Sequence, residues 1–318
     1  MIEKELLHHF ILQALDEAGY LRKAVFQGGT CLRLCHGAER FSEDLDFACG
    51  RGFDTADMAG ITDCLSRKIG DRFGLPLTFR EPKLAADRGP QSVPVATWTV
   101  IVQTAPENRS LPSQRIKIEF AAVPAHTREL TPLRTPYRTM QGMADILIPT
   151  ESLTEILADK ALALPLSLTN EDGTKAALNS HRIRHRDIWD IAWLLRRNAA
   201  LSPELVMRKA QDYAVPAETL AERYAAAVTQ VPHVVRSPEY LAQMRRFIEP
   251  ATLDRTLLRT DYLDYLSREI TGVLNAVSTK LDTANPEKRR TARRESASMP
   301  PLPRAPSKSA AAKKTKPR

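Results

Sequence analysis

The chain has 318 residues and a formal net charge of +8, long enough for two domains of ordinary size. Hydrophobic residues make up 43% and charged residues 26%; with no repeating period this excludes collagen, coiled coil and a wholly disordered chain. The charge is uneven: residues 283–318 hold 11 Lys/Arg against 2 Asp/Glu, net +9, whereas residues 1–282 hold 35 against 36, net −1, so the basicity belongs to a tail.

Residues 2–18 place Leu7, Phe10, Ile11, Ala14 and Leu15 at helical spacing. This N-terminus is charged and amphipathic, and no apolar run reaches about 18 residues, so neither a signal peptide nor a membrane span is expected. Cys31, Cys35, Cys49 and Cys64 lack zinc-ligand spacing and read as reduced thiols of a cytoplasmic protein. The short apolar AVFQ, residues 24–27, runs into Gly28-Gly29, a short helix ends at Gly37, and LDFAC is a strand containing Asp46. Residues 55–73 read as one helix, and 75–81, 93–105 and 114–123 as strands, the last two joined in a hairpin by PENRSLPS. DILIP is the last strand candidate.

From about residue 150 the pattern is helical. Thr150 or Ser152 is the N-cap of TESLTEILADKALAL, and Glu155 completes a capping box with Ser152. Further helices are expected over 185–197, 203–213, 217–229, 238–248 and 253–276. Residues 283–318 lack large apolar side chains and are expected to be disordered.

The chemistry concentrates in FQGGTCLRLCHGAERFSEDLDF, residues 26–47. Residues two apart on a strand share a face, so Asp44 and Asp46 present paired carboxylates around an inward Leu45. Like charges so placed repel unless a cation lies between them, and hard oxygen donors suit Mg²⁺ or Mn²⁺. The Gly28-Gly29-Thr30 turn before a helix offers backbone N–H groups to an anion. Glu119, in the apolar strand IKIEF, is the candidate third metal ligand. His181 and His185 lie among Arg182, Arg184 and Arg186 and read as a basic contact surface.

This arrangement resembles the polymerase-β-like nucleotidyltransferase superfamily. It resembles more closely the AbiEii/AbiGii nucleotidyltransferase toxins of abortive-infection, type IV toxin–antitoxin systems. FQGGTCLRL, ERFSEDLDF, EILADKALAL and RDIWDI carry the likeness, over roughly residues 1–250. The family's Arg-x-Ser-x-Asp-Leu-Asp-Phe block is matched by Arg40, Ser42, Asp44, Leu45, Asp46 and Phe47, its helix lysine by Lys160, and its Arg-Asp pair by Arg186 and Asp187. The resemblance implies catalytic roles for Asp44, Asp46, Lys160 and Asp187, and nucleotide contacts at Gly28, Gly29, Thr30, Arg40 and Ser42. Asp190 follows one turn after Asp187. One departure is the connection between Lys160 and Asp187, longer than is usual in the family.

Each residue also has an ordinary reading: solvated strand acids, a plain Gly-Gly turn, a surface Lys117–Glu119 pair, a solvated helix lysine, Asp187 as a first-turn acid. Together they point to an α+β nucleotidyltransferase core over residues 1–148, with a mixed sheet, an all-helical domain over 149–282 and the tail over 283–318. The implied activity is Mg²⁺-dependent transfer of NMP from an NTP to an acceptor, which the family suggests is RNA, at tRNA 3′ ends. The implied partner is an antitoxin, a transcriptional regulator encoded beside it. The alternative is a catalytically idle module that holds GTP or RNA in the same cleft.

Overall fold

The computed structural model describes residues 1–82, 93–108, 110–134, 137, 146–170 and 174–284. By contacts the chain divides into a unit over Met1–Leu281 and a second over Asp282–Arg318. The expected tail falls outside the described residues from 285 onward.

Helix α1, Ile2–Glu17, buries Leu7, Ile11, Leu12, Ala14 and Leu15. The strands are β1 Val25–Gln27, β2 Leu45–Ala48, β3 Leu77–Arg80, β4 Val95–Val102, β5 Gln114–Ala121, β6 Glu129–Pro132 and β7 Leu147–Thr150. They form one mixed sheet in the order β3-β4-β5-β2-β1-β7-β6. β2 runs parallel to β5 and β1 parallel to β7, while β1–β2, β3–β4, β4–β5 and β6–β7 are antiparallel. Phe26 pairs with Phe47 and Phe47 with Phe120, and their rings stand 5.1 Å apart at each step. This fully buried ladder sets the register, because a slip of one residue would turn every side chain to the wrong face.

Beyond Thr150 the described residues hold helices and one isolated bridge, Thr169–Lys175. The helices are α4 Leu153–Ser167, α5 His185–Arg196, α6 Pro203–Asp212, α7 Ala217–Val235, α8 Pro238–Met244, α9 Pro250–Arg255 and α10 Thr260–Ala284. None of the described helices is long and apolar enough to cross a membrane.

Several elements differ from the sequence reading. The turn before the first short helix is absent, because Gly28 is itself the first residue of α2, Gly28–Leu34. The single helix expected over 55–73 is a 3-10 turn at Thr55–Met58, α3 at Ile61–Leu65 and a π-turn at Ser66–Asp71; Gly60, at φ +78°, breaks it. β6 lacked an apolar alternation, since it is an edge strand exposed along most of its length. A break at Thr256 separates α9 from α10, which then runs through Thr283 and Ala284. The capping box is half formed: Ser152 Oγ accepts from Glu155 N at 3.2 Å. The Glu155 carboxylate turns instead to the backbone N–H groups of His126 and Thr127, at 2.8 and 2.6 Å.

Candidate active site

β2 and β5 bring Asp46 and Glu119 together. Asp46 lies in register with Glu119 on one side and with Gln27 on the other. The phenylalanine ladder occupies the alternate positions, so both carboxylates stand on the opposite face. Burial, then repulsion from Glu119 and Asp44, pushes the Asp46 carboxyl up to about 7, against the pull of Lys160 and Arg184.

The two glycines make room for side chains. A Cβ on Gly28 would stand 2.7 Å from Asp46 Oδ2, and Gly28 sits at φ +76°. A Cβ on Gly29 would collide with Arg40 Nη2 and stand 3.0 Å from Ser42 Oγ. Thr30 is buried and its hydroxyl donates to the Asp44 carbonyl. Of the expected phosphate cradle, Gly28 lines the cavity beside the acids; Thr30 and Arg40 hydrogen-bond the backbone of the loop that carries Asp44, and Gly29 lies beside Arg40 and Ser42. His8 and Phe247 hold the same loop: His8 Nε2 donates to the Glu43 carbonyl at 3.0 Å, and Phe41 N donates to the Phe247 carbonyl at 2.8 Å.

Arg40 reaches across to α5. Its Nε and Nη2 donate to Asp190 Oδ1 and Oδ2 at 2.6 and 2.5 Å. Lys160, on α4, donates to Asp187 Oδ1 at 2.9 Å and meets Asp190 Oδ2 at 2.7 Å. All four side chains are buried, so the longer connection between Lys160 and Asp187 closes to hydrogen-bond distance. Burial alone would raise Asp190, but Arg40 and Lys160 hold it down to about 2. Burial alone would lower Lys160, but Asp187 and Asp190 hold it above the usual lysine range. Asp187 Oδ2 is buried without a hydrogen-bond donor, and Arg184 Nη1 stands 3.9 Å from it.

Two cavities adjoin here and share Asp46, Glu119, Arg182, Arg184 and Asp187. The smaller, about 580 Å³, adds Lys160 and an apolar wall of Ile156, Leu162 and Leu166. The larger, about 720 Å³, adds Asp44, Lys117, Arg186 and Arg246. The arginines of residues 182–186, read from sequence as a surface, thus stand at the acids.

The sequence reading missed Asp190 as the hub of the network. It also missed Lys209, fully buried on α6 against Glu151, Glu155 and Asp159 at 2.9, 2.6 and 3.0 Å. The signal was available: Glu155 and Asp159 stand four apart on α4, with Glu151 just before its N-cap, and like charges so placed repel unless a cation sits among them.

Hard carboxylate donors facing one another with Asp46 raised by their repulsion fit a divalent cation chemically. Among the described residues, however, no three His, Cys, Asp or Glu side chains already converge as a metal cage.

The family described as nucleotidyl transferase AbiEii toxin, type IV toxin–antitoxin system, matches residues 11–293. No curated protein matches significantly. Among solved structures, the chain is similar to MenT4, a nucleotidyltransferase toxin from Mycobacterium tuberculosis H37Rv. Identity is 18%, over 92% of this chain and 91% of that one, with a TM-score of 0.49. It is similar to JHP933 from Helicobacter pylori at 18% identity, over 93% and 98% of the two chains, with a TM-score of 0.43. A match that takes in Gly28 and Gly29, the acid pair and the helices of Lys160 and Asp187 makes this chain a member of the AbiEii family of nucleotidyltransferase toxins of type IV toxin–antitoxin systems.

Proposed function

We propose that the chain is a metal-dependent nucleotidyltransferase toxin that moves NMP from an NTP onto the 3′ end of an RNA, with tRNA as the acceptor. The observation that carries this is the in-register pair Asp46 and Glu119 at the wall between two cavities, with Lys160 at the edge of the smaller one. Residues 1–148 act as the transferase core and 149–282 as the helical part supplying Lys160 and Asp187; 283–318 is an electrostatic arm.

In this reading the smaller cavity holds the nucleotide, its base against Ile156, Leu162 and Leu166 and its phosphates toward Lys160 and Arg184. Asp44, Asp46 and Glu119 would hold Mg²⁺ or Mn²⁺, which when bound neutralises triphosphate charge and lowers the pKa of the attacking hydroxyl. The acceptor oxygen bonds to the α-phosphorus, the α–β anhydride bond breaks and pyrophosphate leaves. The hydroxyl proton passes to Asp187 Oδ2, the acceptor atom that lacks a donor. Alignment of the two substrates supplies most of the remaining advantage. The cognate antitoxin, a transcriptional regulator encoded beside the toxin, restrains the activity in the cytoplasm.

The test incubates the protein with each α-labelled NTP, Mg²⁺ and total tRNA, intact or with periodate-oxidised 3′ ends. Label should enter intact tRNA from a preferred NTP and vanish with EDTA, with oxidised ends and in Asp46→Asn. Transfer by Asp46→Asn within about threefold of wild type would remove Asp46 from the metal-binding set, since losing a metal ligand costs orders of magnitude.

A further inference from the structure

One carboxylate interrupts the apolar wall of the smaller cavity. Asp159 lies on α4 with Leu162 and Leu166 three and seven residues further on, a spacing that sets all three on one face of the helix. Lys160 lies at the edge of that face and turns to Asp187 and Asp190.

Asp159 is also the third acid around Lys209, and that lysine does not need it. Lys209 Nζ stands 2.6 Å from Glu155 and 2.9 Å from Glu151 before it reaches Asp159 at 3.0 Å. A buried ammonium is balanced by one counter-charge, and Glu155 supplies it. Burial alone would raise the Glu155 carboxyl, but Lys209 and hydrogen bonds from Thr127 and His126 hold it below its usual value. Glu151 and Asp159 then share a proton. Burial raises both, Glu151 the further, and the Glu151 side chain is wholly buried while that of Asp159 is 22% exposed. The proton therefore rests on Glu151 and the charge on Asp159. Of the three acids, Asp159 is the one that lines the cavity.

We infer that Asp159 reads the nucleobase: its carboxylate accepts a hydrogen bond from an exocyclic amino group, so the substrate is the triphosphate of adenine, cytosine or guanine and not of uracil. The inference rests on the nucleotide reading of this cavity. An ionised carboxylate only accepts. The three amino-bearing bases offer it an N–H at the base edge, whereas uracil offers one ring N–H between two carbonyl oxygens that an anion repels. A site built around a buried polar group rejects the analogue that leaves it unpaired far better than a site built on shape alone.

The test is equilibrium dialysis of the full-length protein with labelled nucleotides and Mg²⁺, without tRNA. Three pairs differ at the amino position: ATP and purine riboside triphosphate, GTP and inosine triphosphate, CTP and UTP. The nucleotide that binds most tightly should carry the amino group, and its partner should bind about tenfold more weakly, the loss of one hydrogen bond to a charged acceptor. Asp159→Asn should bring that pair within about threefold and let UTP gain affinity, because an amide donates as well as accepts.

Tightest binding by UTP, or equal binding within every pair, overturns the inference in the wild type alone, whether or not the variant folds. An undiminished bias in folded Asp159→Asn also overturns it, since the base is then read elsewhere. Binding of no nucleotide overturns it together with the nucleotide reading of the cavity. The expected bias in a protein that moves no label onto tRNA leaves the role of Asp159 standing and overturns the transfer reading alone.

Discussion

Arg40 fills the space that a side chain on Gly29 would need: a Cβ there would collide with its Nη2. A long side chain can normally swing aside, but this one is held by two hydrogen bonds to Asp190 and a third to the Phe41 carbonyl. Gly29→Ala therefore pushes on the buried network. It should lower stability by about 2–3 kcal/mol, a fall in Tm of roughly 3–5 °C for a chain this size. A melting curve within a degree or so of wild type would show that Arg40 yields freely.

Asp190 and Asp187 both hold Lys160, yet their removal should differ. Asp190→Asn leaves Arg40 buried without a counter-charge, and breaking such a pair costs about 3–5 kcal/mol. Asp187→Asn leaves Lys160 still paired with Asp190 and should cost less stability, but should abolish transfer. Melting and label transfer on the two variants check this order; a larger stability loss in Asp187→Asn contradicts the assignment of Asp190 as the hub.

His8 makes stability depend on pH. Burial, then the nearby Lys4 and His9 charges, lowers its pKa to about 3, against the hydrogen bond to Glu43. The unfolded chain therefore binds a proton below about 6.5 that the folded chain refuses, and stability falls as pH drops through that window. The loss should be about 2 kcal/mol between pH 6.5 and 5, at roughly 1.4 kcal/mol per pH unit. Chemical denaturation across that range should show it, and His8→Gln should flatten the acid limb. An equally steep limb in the variant assigns the loss to other groups.

The tail supplies an electrostatic prediction. Truncation after Ala284, where α10 ends, removes the whole net +9 of residues 283–318. Turnover at saturating acceptor should persist, while acceptor affinity falls at low salt and converges with full length as salt rises, by loss of counterion release. Lost turnover at saturating acceptor would make the tail part of the site.

The strands around the acids were legible because β-branched and aromatic runs with period two leave few alternatives. The register of Asp46 with Glu119 was not, because it depends on a parallel pairing between distant segments that no local pattern encodes. Lys160 and Asp187 were recognised through the family resemblance, whereas Asp190 gave no sign of its role: its partners, Arg40 and Lys160, lie far away in sequence. That Arg40 fills the space beside Gly29 was not legible either, because sequence cannot say which atom lies beside a missing Cβ. The long helix expected over 55–73 failed on Gly60, whose left-handed backbone was not weighed.

The Arg40–Asp190–Lys160–Asp187 network also has a consequence for synthesis on the ribosome. Arg40 and Lys160 are made before either carboxylate that neutralises them, and both are buried once α5 packs. A growing chain that stops short of residue 187 has two cations and neither counter-charge with which to bury them, so its acid loop lacks the brace that Arg40 supplies through Asp190. Folding of the acid loop is thereby coupled to completion of the second half of the chain, which supplies both carboxylates of the network.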